Sequence, residues 1–99
     1  MVSSDLQSII LRILIAHLAE REEKALEIGY ISQGLLRAGV APNEEACKSA
    51  VHHLLATSIL KNGQGSKVSL TGTGLVLGMG VALPESVELA LQNSFTSEA

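Results

Sequence analysis

Ninety-nine residues, 46% of them hydrophobic and carrying a formal charge of −3, make one domain's worth of chain with enough apolar material for a single core. Tyr30 and Phe95 are the only aromatic residues, so the core is aliphatic and a binding surface built on stacked rings is disfavoured. Cys47 is the only cysteine, which excludes an internal disulfide and a thiolate-rich zinc site.

A free thiol suits a reducing compartment. The start, from Met1 to Asp5, lacks the basic opening of a signal peptide. Apolar stretches are interrupted by Arg12 and His17, or run only from Leu75 to Leu83, short of the ~20 residues that span a bilayer. A cytoplasmic protein with no membrane segment is therefore expected. Charge is uneven along the chain: residues 1–36 sum to −2, residues 37–67 to +2 and residues 68–99 to −3. The cations of the middle segment are Arg37, Lys48, Lys61 and Lys67, with His52 and His53 among them.

Taken in order, Ser4-Asp5-Leu6-Gln7 reads as a capping box that opens a first helix. Leu6, Ile9, Ile10, Ile13, Leu14, His17 and Leu18 then recur at helical spacing, and the helix is expected to reach about Lys24. Leu11 and Ile15 form a second apolar strip, so this helix is either central in the core or shared with a partner. A link through Gly29 leads to a second helix over Tyr30–Ala38, with Ile31, Leu35 and Leu36 inward. Gly39 stands where a helix takes a C′ residue of positive φ. After Val40-Ala41-Pro42, Asn43 is a good N-cap, and Glu44 and Glu45 suit the first turn of a third helix reaching about Ser58. Its inner face is Cys47, Val51, Leu54 and Leu55. Its outer face is Glu44, Lys48, Ser49 and His52, with Glu45 beside them.

Ile59-Leu60 begins an extended segment, Asn62-Gly63-Gln64-Gly65 is turn chemistry, and Lys67-Val68-Ser69-Leu70 alternates as a strand does. The two arms make a hairpin with Gly63 or Gly65 at its tip. Thr71–Gly74 is a second turn and helix start. Leu75–Ala82 is apolar and rich in glycine. A last helix restarts at Leu83-Pro84-Glu85, with Pro84 near its first position and Leu83, Val87, Ala90 and Leu91 inward.

The order helix, helix, tight turn, helix, hairpin, helix resembles the winged helix-turn-helix superfamily. Ile31–Leu60 is similar to the helix-turn-helix of small regulators of the MarR/PadR type. Leu35-Leu36-Arg37-Ala38-Gly39-Val40 matches the first helix end and glycine turn, and Ser49-Ala50-Val51-His52-His53-Leu54-Leu55 matches the recognition helix. Ser58-Ile59-Leu60-Lys61 matches the exit into the wing. Leu70-Thr71-Gly72-Thr73-Gly74 resembles the Leu-Thr-x-x-Gly that closes the wing in multiple-antibiotic-resistance and phenolic-acid regulators. The resemblance implies a mainly α fold with a small β-hairpin. The helix-turn-helix would fall at about 30–58, the wing at about 59–71 and a C-terminal helical segment at about 75–93, within one domain over 1–99. It departs from the family in a longer, more acidic turn before Ala46 and in a short wing carrying only Lys61 and Lys67.

Candidate sites follow from the chemistry of each residue. Lys48, Ser49 and His52 suit phosphate or base contact, with Arg37, Lys61 and Lys67 as flanking cations. The competing reading of this surface is a plain solvated helix face. Cys47, His52 and His53 lack the spacing and the second thiolate of a metal site, so Cys47 is read as a small buried hydrophobe and no cofactor is expected. The glycines Gly72, Gly74, Gly78 and Gly80 do not have phosphate-loop spacing, and no Lys-Ser or Lys-Thr follows. Gly74 and Gly78 instead suit a close helix contact. No catalytic trio sits in a recognisable context, so an enzyme is not expected. Leu11, Ile15, Leu83, Val87 and Leu91 are the expected dimer surface, because a monomer rarely exposes such a strip. The expected function is a homodimeric regulator of transcription that binds double-stranded DNA. The alternative is an interaction module for a protein partner, favoured by the acidic total, Glu44, Glu45 and the second face of the first helix.

Overall fold

Nearly every side of the first helix, α1 (Val2–Arg21), is covered. Leu6, Ile9, Ile10, Leu11, Ile13, Leu14 and His17 are all buried along it, and these positions span most of its circumference. The computed structural model describes the backbone of residues 2–96 and the side chains of residues 6–95. The backbone is already helical at Val2, ahead of Ser4, whose proposed capping side chain lies outside the described residues. The helix stops at Arg21, three residues short of Lys24, where Glu22 takes a positive φ of 57°.

Strand β1 (Ala25–Glu27) follows and was not expected from the sequence. Three residues are too few to display alternation, and the partner strand lies some forty residues on. Helix α2 (Ile28–Ala38) starts two residues before Tyr30 because the free Ile28 N–H donates to Ser66 O at 3.0 Å. It ends at Gly39, which has φ 76°, with Val40 N–H reaching Leu35 O at 3.2 Å. Ile31, Ser32, Gly34 and Leu35 are its buried residues, whereas Leu36, expected inside, is exposed. Asn43 caps helix α3 (Glu44–Ala56) by accepting from Ala46 N–H at 2.8 Å.

Strands β2 (Leu60–Asn62) and β3 (Lys67–Leu70) form the hairpin, with Gly65 at φ 63° in its tip. Both β1 and β2 pair antiparallel with β3, giving the order β1-β3-β2. Leu26 stands opposite Val68, and Leu60 opposite Leu70, which turns the sheet's apolar residues to one side. Helix α4 (Gly72–Met79) follows directly, and α5 (Glu85–Thr96) begins where Pro84 O accepts from Glu88 N–H at 3.0 Å. The fold is thus mainly helical with a small three-stranded antiparallel sheet. Among the described residues no helix is long and apolar enough to cross a membrane.

The five residues expected at a dimer surface belong to the chain's own packing. Leu11 and Leu91 are 5% and 6% exposed, and Leu83 and Val87 are half-buried against the same core. Helix α4 lies over the second strip of α1, so close that a Cβ on Gly78 would meet Ile15 Cγ1 at 2.7 Å and Leu11 O at 3.5 Å. Glycine at 78 is what lets the two backbones approach. Gly74 does the same against the backbone of Ile59 and the side chain of Leu70.

Candidate nucleic-acid interface

Helix α3 packs inward through Cys47, Ala50, Val51 and Leu54 against α1 and α2, and beside β2. The opposite line, at spacings of four, seven and eleven residues, is Glu45, Ser49, His52 and Ala56, all exposed. Lys48 flanks this line together with Glu44, and the two form an exposed ion pair at 3.9 Å. Such a pair is worth little in stability but leaves Lys48 locally neutralised. The acids therefore sit at the N-terminal turn of α3, and Lys48, Ser49 and His52 come after them on the same surface.

The hairpin, whose β2 packs against α3, carries two exposed lysines. Lys61 on β2 stands opposite Ser69, and Lys67 on β3 stands opposite Glu27 of β1. From Ala46 to Pro84 the chain contains Lys48, Lys61 and Lys67, two histidines, and no Asp or Glu. This acid-free stretch covers most of α3, the hairpin and α4, in a protein whose total charge is −3.

The hydroxyl of Thr71 joins these parts. It lies 2.8 Å from Ser58 O and 2.9 Å from Ile59 O, to which it donates, and it accepts from Gly74 N–H at 3.1 Å. One side chain thereby ties the exit of α3 to the end of the hairpin and caps α4. Ser58, at φ 65°, ends the α3 turn with Ile59 N–H on Leu54 O at 3.0 Å.

Arg37 does not join this surface. Its guanidinium donates to Ser94 O at 3.1 Å, while Arg21 donates to Phe95 O at 3.2 Å. Helix α5 has no basic residue in its own last turn, and these two arginines from α1 and α2 supply cations to its C-terminal carbonyls. The role is structural, and sequence spacing gives no hint of it because the partners are more than fifty residues apart.

Cys47 is fully buried. Loss of water around the thiol raises its pKa, the nearby Ser32 hydroxyl lowers it in part, and the Glu44 charge adds to the rise. Among the described residues no three His, Cys, Asp or Glu side chains gather as a metal-binding set. His17 is buried in α1, 2.9 Å from Ile13 O through Nδ1 and 3.1 Å from the Tyr30 hydroxyl through Nε2. It meets Tyr30 and Phe95 edge-on, so its role is packing. A cavity of about 60 Å³ between α1 and α5, lined by apolar Ile13, Leu91 and Phe95 and by charged Arg12, Glu20 and Glu88, is far below the ~300 Å³ of a small-molecule site.

Apolar surface is left on α4 rather than on α1. Val76 and Met79 are 71% and 72% exposed, and Leu75 and Leu77 stand partly clear beside them. Comparison with protein-family models, curated proteins and solved structures gives no match.

Proposed function

We propose that this chain is a winged-helix protein in which α3 is the recognition helix and the β2–β3 hairpin is the wing, and that it binds duplex DNA with modest affinity. The observation that carries the reading is the acid-free stretch from Ala46 onward, in which Lys48, Ser49 and His52 stand exposed on α3 and Lys61 and Lys67 stand exposed on the hairpin, whose β2 packs against α3. A helix fits the major groove, and a hairpin beside it can reach the phosphates. With three lysines per chain, binding is driven by release of few counterions and fades quickly as salt rises. A regulator of transcription is the function such a module serves.

The test is fluorescence anisotropy with a mixed-sequence duplex at ~50 mM salt, where non-specific contacts survive. Binding is expected, with the slope against salt falling by about one for each of Lys61→Gln and Lys67→Gln. No binding at that salt overturns the reading. A second reading, a protein-binding winged helix, is favoured by Glu45 in the first turn on the outer line of α3 and by the Glu44–Lys48 pair. It takes the first one's place if duplex DNA is not bound.

A further inference from the structure

Helix α4 is turned inside out relative to an ordinary surface helix. It meets the core through Gly74 and Gly78, and it presents its large aliphatic residues to solvent. Helical spacing puts Gly72, Val76 and Gly80 on the outermost line, with Met79 and Thr73 to either side. Nothing in the chain requires glycine at the ends of that line. A Cβ at Gly72 would meet nothing within 4 Å, one at Gly80 would meet only Leu77 O at an ordinary 3.6 Å, and neither residue has a positive φ.

We propose that this outer face is covered by a second copy of the chain, the two α4 helices crossing antiparallel about a two-fold axis at Val76. The pattern is complementary to itself about that residue. Val76 meets its own copy, Gly72 faces Gly80 of the partner, and the small Thr73 faces the long Met79. Bare backbone at both ends lets the helices approach closely, while Leu75 and Leu77 close the flanks. Charge points to the same occupant. Residues 68–84 contain no charged side chain, so two chains of −3 meet here without opposing charges at contact. A partner chosen by charge complementarity would find nothing to read. Antiparallel helices also set their dipoles in opposition.

The area sets the strength. An eight-residue helix is about 12 Å long, and its face offers on the order of 300–400 Å² per chain. That is roughly half of the ~800 Å² per partner of a stable interface. The dimer is therefore weak and transient, as interfaces below about 1,200 Å² in total are. This pairing does not depend on what α3 binds.

Sedimentation equilibrium of the full chain between ~10 µM and ~1 mM should show a reversible monomer–dimer equilibrium. Val76→Glu should leave a monomer throughout with unchanged circular dichroism. Gly80→Leu, which nothing inside the chain opposes, should weaken the dimer at least tenfold. In a second measurement, Val76→Cys should form a disulfide dimer under oxidised glutathione several-fold faster than Leu89→Cys, whose site on α5 is also exposed. Cys47 is buried and does not compete. A wild-type monomer at ~1 mM, a dimer unaffected by Val76→Glu, or equal crosslinking at residues 76 and 89 each overturns the proposal.

Discussion

The ring of Phe95 on α5 closes on the bare backbone of Gly34 on α2, so tightly that a Cβ at residue 34 would clash with the Cζ edge of the ring. The neighbouring Ser94 hydroxyl donates to Gly34 O, which pins α5 to the same spot. Gly34→Ala is expected to destabilise the fold by about 1–3 kcal/mol, since overpacked cores relax only in part. Phe95→Leu in the same background should recover some of that loss. Urea unfolding of the two single variants and the double variant measures the coupling, and simple additivity would show that the contact is not the cause.

Thr71→Val keeps the shape of the side chain and removes its hydroxyl. Ser58 O, Ile59 O and Gly74 N–H then lose a common partner. A cost of about 1–2 kcal/mol is expected, in the range of a lost helix cap. Thr71→Ser, which retains the hydroxyl, should cost clearly less. Equal losses in thermal unfolding would mean that the methyl group matters as much as the hydrogen bonds.

Glu45 shares the outer line of α3 with Ser49 and His52, so on the proposed complex its charge faces phosphate. Glu45→Gln should tighten duplex binding about threefold to fivefold at ~50 mM salt, roughly 0.7–1 kcal/mol. The gain should shrink as added salt screens the charge. An unchanged affinity would place the DNA elsewhere than over this turn.

Burial raises the pKa of Cys47 above that of the thiol in the unfolded chain. The neutral thiol is the form the fold favours, so its contribution is fully present below the unfolded value of about 8.5 and is lost as pH rises through the folded one. Stability by urea unfolding should therefore fall above about pH 8.5, and Cys47→Ala should remove that part of the slope. The native thiol should also resist a disulfide reagent at pH 8 and react once the chain unfolds.

Local chemistry alone determined much of this protein. Asn43, Gly39 and Gly65 act within a few residues of where they sit, through a cap bond or a positive φ, so the turn before α3 and the hairpin tip are legible in the residues themselves. The period of Cys47, Val51 and Leu54 likewise separates the buried from the open side of α3, and so places Lys48, Ser49 and His52 outside. What the sequence could not decide is which of several apolar surfaces covers which. Leu11 and Ile15 read as an unpartnered strip until α4 is laid over them, because a helix's neighbour is chosen by the whole packing and not by its own period. The glycines of α4 held the clue: the four-residue spacing of Gly74 and Gly78 marks a close contact, yet it does not say which elements they meet. Strand β1 exists only because β3 offers it an edge. Arg37 is a cation like Lys48 in the sequence, and only the arrival of α5 beside it turns its guanidinium to Ser94 O. Each of these was settled by contacts between residues far apart in the chain, where burial and hydrogen bonding outweigh local preference.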